Sequence, residues 1–208
     1  MARLPESLTL SSLSTHWIRK VMQLKNDEFR YGVVAQLFHW AIVVLIIVQF
    51  ILASRADDLP LGPAKIAVLA QHKSFGITIL GLALLRLIWR WLNPVPAEPL
   101  DIPQWQRIAA RVSHIGLYAL LLITPLVGWL MSSARNFPVS WFGLVTLPDF
   151  IKPNRPAYDF LHETHELLAL TLFGLAVLHI AAALKHHFID KDNVLRRMLP
   201  VKLKQDRS

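Results

Sequence analysis

Residues 165–179 read HELLALTLFGLAVLH, an apolar segment with a histidine at each end. The segment overlaps the run Leu167–Leu184, which contains no Asp, Glu, Lys or Arg. At about 1.5 Å per residue, such a run approaches the roughly 20 residues that cross about 30 Å of hydrocarbon. This stretch therefore predicts a membrane-spanning helix with a histidine towards each end.

Three further stretches are long, apolar and almost free of charge. They are Val33–Ala53, Phe75–Leu92 and Ile115–Met131. Their charged members are Arg86 and Arg90, near the end of the second stretch, where a long side chain can extend to the membrane interface. The chain is 54% hydrophobic and 17% charged, against about 25% charged residues in soluble domains. The predicted fold is therefore all-α, an integral membrane four-helix bundle over residues 32–190.

The composition excludes several other classes of protein. Without cysteine, the chain has no disulfide framework, no iron–sulfur cluster bound by cysteine and no haem attached through a C-x-x-C-H motif. The net charge of +8 does not form a basic domain interleaved with aromatic residues, as expected for nucleic-acid binding. The basic residues lie mostly between the apolar runs, where they indicate the orientation of the chain.

The basic residues are concentrated on one predicted side of the membrane. Sixteen of the 22 lie before the first run, from Arg86 to the start of the third run, or after the fourth. By the positive-inside rule, the N and C termini are both predicted to be cytoplasmic. Residues 191–208 are predicted to form a basic cytoplasmic tail.

Residues 1–31 are predicted to be an N-terminal cytoplasmic extension. No apolar core precedes a small-residue cleavage site, so the extension is not expected to be a signal peptide. Two interpretations of the extension remain open, an amphipathic surface helix and a disordered or mis-started N-terminus. The surface helix is indicated by Leu13, Trp17, Val21 and Leu24, which are spaced as on one face of a helix.

The histidines of the apolar runs form two pairs at matching depths. His39 lies early in the first run and His179 late in the fourth, both near the predicted cytoplasmic face. His72 opens the second run and His165 the fourth, both at the outer face. His165 and His179 are 14 residues apart, which places them about 40° apart on one helix face and about 21 Å apart along its axis. His162 is rotated about 100° from His179 and is the less favoured outer ligand.

Two imidazoles that face each other within an apolar bundle are typical ligands of haem b, whose iron then has no open position for oxygen. Gly76, one turn after His72, is expected to leave room for the edge of the macrocycle. The segment HETHE at 162–166 does not form a zincin site, because its histidines are three rather than four residues apart. A transporter without a cofactor is another interpretation of the bundle, but the pairing of histidines at two depths disfavours it.

The ordered set of motifs resembles the bacterial cytochrome b561 family over residues 31–200. The motifs are FHW at 38–40, His72 with Gly76, HIG at 114–116, TPLVG at 124–128, His165-Glu166 through His179, HHF at 186–188 and KDNVLRRMLP at 191–200. Members of this family are four-helix di-haem cytochromes and include a superoxide oxidase. The resemblance implies one haem b held by His39 and His179 and a second held by His72 and His165, in a multi-pass protein of the bacterial inner membrane. The segment Leu161-His162-Glu163 also mimics the family pattern at the outer ligand.

The resemblance further implies that superoxide is oxidised to oxygen at the outer face and ubiquinone is reduced near the cytoplasm. Cations of the outer loops would attract superoxide, and Lys73, next to His72, is the preferred catalytic candidate. The outer cations are Arg55, Lys65, Lys73, Arg135, Lys152 and Arg155. His114 and His186 are the candidates for binding ubiquinone and supplying its protons. The alternative function is a haem b electron-transfer membrane anchor for a partner dehydrogenase or hydrogenase.

Overall fold

The computed structural model describes residues 23–97 and 102–201. Within these ranges four long helices follow one another along the chain. They are α1 (Val33–Asp58), α2 (Pro63–Leu92), α3 (Gln104–Ala134) and α4 (Arg155–Lys185). Each helix is long and apolar enough to cross a membrane. The predicted all-α membrane four-helix bundle is confirmed.

Three of the helices begin well before their apolar runs. α2, α3 and α4 start 11 or 12 residues before Phe75, Ile115 and Leu167, the first residues of the runs. Proline occupies the first turn of both α2 and α4, where its fixed φ suits a helix start. The side chain of Asn154 caps α4 by accepting a hydrogen bond from the backbone N–H of Ala157 at 2.9 Å. These polar first turns place the histidines at the run starts nine or ten residues inside their helices.

The helices pack against their sequence neighbours, α1 on α2, α2 on α3 and α3 on α4. α4 returns to α1, where the rings of Phe50 and Phe173 are 5.1 Å apart. A buried apolar cluster, drawn from all four helices, lies midway along the bundle. Its members are Ile42, Ile79, Ala83, Leu121 and Leu172. We call the end of the bundle beside His39 and His179 the inner end, and the end beside His72 and His165 the outer end.

A short β-hairpin between α3 and α4 folds over the outer end of α2. Its strands are β1 (Ser140–Trp141) and β2 (Val145–Thr146), paired antiparallel. Ser74 Oγ accepts a hydrogen bond from the N–H of Phe142 at 3.0 Å, and Trp141 Nε1 donates to Thr78 Oγ1 at 3.1 Å. Gly143 in the turn has φ of +74°, which glycine adopts without strain. The hairpin is therefore fastened to the helix that carries His72.

At the inner end, the segments before α1 and after α4 contact each other. The N–H of Tyr31 donates to the carbonyl of Arg197 at 3.3 Å, and Trp40 Nε1 donates to the carbonyl of Met198 at 2.8 Å. The segment after α4 begins with a π-helical turn at His186–Asp190 and continues to a 3₁₀ turn at Arg196–Met198. The predicted amphipathic helix lies outside the described residues, except for Leu24.

Candidate functional site

The inner end of the bundle holds three histidines from three helices. The ring centroids of His39 on α1 and His179 on α4 are 6.3 Å apart, with the planes at 75°. His114 on α3 packs against His179 from another direction, with centroids 5.4 Å apart. The structure thus brings together three of the residues that the sequence assigns to the cofactor sites.

The outer end holds a second facing pair. The centroids of His72 on α2 and His165 on α4 are 6.2 Å apart, with the planes at 76°. His162 is exposed and packs instead on Tyr158, with centroids 5.7 Å apart. The side chain that faces His72 is therefore that of His165, as the helical spacing predicts.

The distances within the two pairs allow the fit of a ligated iron to be tested. A metal–imidazole bond is about 2 Å long and the bonding nitrogen lies about 1.2 Å from the ring centre, so two rings on opposite sides of one metal have centroids about 6.4 Å apart. The observed 6.3 and 6.2 Å match this value. In the part of the chain that the structure describes, the buried Nδ1 of His72 has no hydrogen-bond partner. Both pairs fit bis-histidine ligation of a haem iron, whereas the 5.4 Å between His114 and His179 is short for it.

At the outer pair, the backbone of α3 orients His165. Nδ1 of His165 lies 3.0 Å from the carbonyl oxygen of Thr124. Because a carbonyl only accepts, Nδ1 carries the proton and Nε2 is left with a free lone pair for a metal. Gly128, one turn further along α3, makes this approach possible, since a Cβ there would lie 2.9 Å from Cε1 of His165.

Gly76 allows a side chain of α1 to approach the backbone of α2. A Cβ at Gly76 would lie 3.1 Å from Nε2 of Gln49, on α1. The same nitrogen donates a hydrogen bond of 3.0 Å to the backbone carbonyl of His72. The small residue therefore admits the Gln49 amide to the backbone of α2, and the expectation that it leaves room for a macrocycle edge stays a prediction.

Arg86 turns into the bundle instead of extending to the membrane interface. One guanidinium nitrogen lies 2.7 Å from Nδ1 of His39, and Nε donates to the hydroxyl of Tyr118 at 3.0 Å. Arg86 follows His72 by 14 residues, the same spacing that joins His165 to His179. On α2, this spacing puts Arg86 on the same face as His72 and about four turns nearer the inner end. It is the signal in the sequence that could have located Arg86 beside the inner histidines.

Lys73, the predicted catalytic cation, is partly buried and fastened to the outer loop. Its ammonium donates to the carbonyl of Phe137 at 2.8 Å and lies 3.3 Å from the centre of the Phe137 ring. A more open group of cations lines a cavity of about 290 Å³ at the start of α4. In this cavity Arg135 donates to the hydroxyl of Tyr158, and Arg155 pairs with Asp159 at 2.9 Å.

His186 lies in the π-helical turn that follows α4. Its Nδ1 is 2.6 Å from Oδ2 of Asp192 and 3.2 Å from Oδ2 of Asp190. Asp190 is also paired with Lys185 at 2.6 Å. The structure therefore groups His186 with two carboxylates, and not with the histidines of the inner pair.

Comparison with known proteins agrees with this geometry. The chain is 35% identical over 179 residues to "Cytochrome b561 homolog 2" of Escherichia coli (strain K12), covering 86% of this chain and 95% of that protein. It is 30% identical over 169 residues to "Probable superoxide oxidase CybB" of Yersinia pestis, covering 79% and 92%. Residues 30–201 match the family described as prokaryotic cytochrome b561. The chain therefore belongs to the prokaryotic cytochrome b561 family and is a bacterial multi-pass membrane protein that carries electrons on haem b.

Proposed function

We propose that this protein oxidises superoxide at the outer face and reduces ubiquinone near the cytoplasmic face, with two haem b groups held by the two histidine pairs. The observation that carries the proposal is the position of the pairs at opposite ends of one bundle, with the buried apolar cluster between them. Haem b held by two histidines supplies one-electron transfer without an open coordination position. Two superoxide ions give up two electrons and leave as two molecules of oxygen. The two electrons and two protons convert one quinone to its quinol.

Outer cations support an anionic electron donor. Lys73 follows the ligand His72 directly in sequence, and Arg135 and Arg155 line the open cavity around Tyr158. Positive charge at the entrance to a site raises the rate at which a small anion arrives. Asp159 offsets part of the charge of Arg155. Arg135 is therefore a stronger contributor than Arg155 to the field that superoxide meets.

Polar side chains at the inner end support the reduction of a quinone. His114 lies against His179, so its imidazole can hydrogen-bond a carbonyl group close to the inner pair. A small pocket at the inner end, next to Arg86, has both aromatic walls and hydrogen-bond donors. It is lined by residues that include Tyr31, Trp89, Arg90 and Tyr118. In this proposal His186, bonded to Asp192, passes protons from the cytoplasm towards this end.

The names of the relatives support superoxide as the electron donor to different degrees. The protein from Yersinia pestis is named as a superoxide oxidase, and the chain covers nearly all of it. The two E. coli relatives are named only as cytochrome b561 homologs. The choice of superoxide as donor thus depends on the outer cations and on one relative.

The test is rapid mixing of purified haem-loaded protein with superoxide while the haem absorbance is followed. We expect fast reduction without quinone, and rapid reoxidation when a short-chain ubiquinone is added. The His39→Ala variant is the matched comparison, because it should accept electrons at the outer end but fail to pass them to quinone. Wild-type protein that a strong chemical reductant reduces, but superoxide does not, would instead be an electron-carrying membrane anchor.

A further inference from the structure

The two histidine pairs differ in the charge of the group that contacts them. At the inner pair, Nδ1 of His39 faces the guanidinium of Arg86 at 2.7 Å. At the outer pair, Nδ1 of His165 faces the neutral carbonyl of Thr124 at 3.0 Å. A guanidinium is always charged in proteins, so the difference between the two ends is permanent.

The positive charge of Arg86 is fixed inside the bundle. Its Nε bond to Tyr118 joins α2 to α3, and its contact with His39 joins α2 to α1. The ion pairs found among residues 23–97 and 102–201 do not include Arg86. The charge therefore acts on the inner histidines without a carboxylate from these residues to neutralise it.

The surroundings of the outer pair carry less net charge. The charged groups that act most directly on His72 are Asp57 and Lys73, which have opposite signs. The ammonium of Lys73 is bound by the carbonyl of Phe137 rather than by either histidine. The carbonyl of Thr124 makes the His165 ring a stronger electron donor, because it accepts a hydrogen bond from the Nδ1–H.

We propose that Arg86 raises the reduction potential at the inner histidine pair above that at the outer pair, and so directs electrons from the outer to the inner end. Reduction adds one negative charge to the bound iron centre, and a nearby fixed cation stabilises that form. A carbonyl that accepts a hydrogen bond from the Nδ1–H of a ligating histidine favours the oxidised form instead. This inference rests on the proposed ligation of two haems by the two pairs.

The proposal depends on the charge of Arg86 and not on its hydrogen bond to His39. A ligating imidazole carries its proton on the nitrogen away from the metal, and a guanidinium can only donate. Once His39 binds a metal through Nε2, Arg86 can no longer donate to Nδ1. The bond to Tyr118 is independent of that change and retains the charge at the inner end.

The test is an optical redox titration of the purified haem-loaded protein in the His72→Ala background, where the inner haem alone remains. Adding Arg86→Gln should lower the potential so that the oxidised form is favoured at least tenfold more, a shift of 59 mV for one electron. Arg86→Lys, which keeps the charge, should restore most of the wild-type value. Arg90→Gln, one turn along α2, is the matched control and should have a smaller effect.

The haem content separates the two possible failures. Fewer than two haems per wild-type chain would overturn the proposed ligation, whatever the potentials are. Two haems per wild-type chain, together with an unshifted inner potential when Arg86→Gln is added to His72→Ala, would overturn the role of Arg86 alone. If Arg86→Gln binds too little haem to be titrated, Tyr118→Phe is measured in its place. The released guanidinium should then give a smaller shift in the same direction, and an unchanged potential would contradict the proposal.

Discussion

Gly128 and His165 are in direct contact across the interface between α3 and α4. A Cβ at residue 128 would lie 2.9 Å from Cε1 and 3.1 Å from Nδ1 of the imidazole. The ring cannot move away without breaking its bond to the carbonyl of Thr124, which is one turn earlier on α3. α3 therefore supplies both the acceptor that orients His165 and the space in which its ring lies.

Gly128→Ala should displace His165 and weaken ligation at the outer pair. We expect the haem content of the purified protein to fall from two towards one per chain. The matched control is Gly174→Ala on α4, where an added Cβ meets no atom within 4 Å. That variant should keep both haems and gain stability of about 0.5–1 kcal/mol, because alanine suits a helix interior better than glycine. Equal haem contents in the two variants would show that the contact at Gly128 is not needed for binding.

His162 and His165 offer a direct test of the outer ligand. Since the ring of His165 faces His72 and that of His162 packs on Tyr158, we expect His165→Ala to lose one haem and His162→Ala to keep both. The measurement is the number of haems per chain, with the absorption spectrum of the reduced protein. Loss of a haem in His162→Ala alone would reverse the assignment.

His39 and His114 offer the same kind of test at the inner end. Both rings lie near His179, but only the His39 distance suits two ligands on opposite sides of one metal. His39→Ala should bind one haem per chain. His114→Ala should bind two, yet reoxidise at least tenfold more slowly with ubiquinone because a hydrogen-bond donor has been lost. A normal reoxidation rate in His114→Ala would remove this residue from the quinone site.

The helices and the pairing of the histidines could be predicted because both depend on periodicity along the chain. Hydrophobic runs identify membrane spans, and the position of each histidine in its run gives its depth. The helix starts were placed too late, since interfacial turns carry polar residues that interrupt a run without ending the helix. This is why His72, His114 and His165 lie further inside their helices than the runs indicate.

The contacts made by neighbouring helices could not be predicted in the same way. The contact of Gly128 with His165, and that of Gly76 with Gln49, each join residues on different helices. Such contacts depend on the rotation of each helix about its axis, which an apolar run does not specify. Arg86 is an intermediate case, because its 14-residue spacing from His72 was present in the sequence while its partners His39 and Tyr118 were not evident.

Lys73 should influence the arrival of superoxide through its charge. We expect Lys73→Gln to lower the second-order rate of haem reduction several-fold and to weaken its dependence on ionic strength, since salt screens such attraction. Lys65→Gln is the matched control, because this lysine also donates to a backbone carbonyl, that of Leu59, at 3.3 Å. An equal loss of rate in both variants would indicate a general surface effect. An unchanged rate in both would remove Lys73 as the catalytic candidate.

His186 and Asp192 should act together on the proton side of quinone reduction. The 2.6 Å contact holds the imidazole in one orientation, and Asp192 is itself held by the backbone N–H of Val194 at 2.9 Å. Asp192→Asn should therefore slow haem reoxidation by quinone about tenfold, while reduction by superoxide at the other end keeps its rate. His186→Ala should show the same separation, and the double variant should be no slower than His186→Ala if the two residues form one unit. Additive losses in the double variant would show that they act independently, and a change confined to superoxide reduction would contradict the assignment to the inner end.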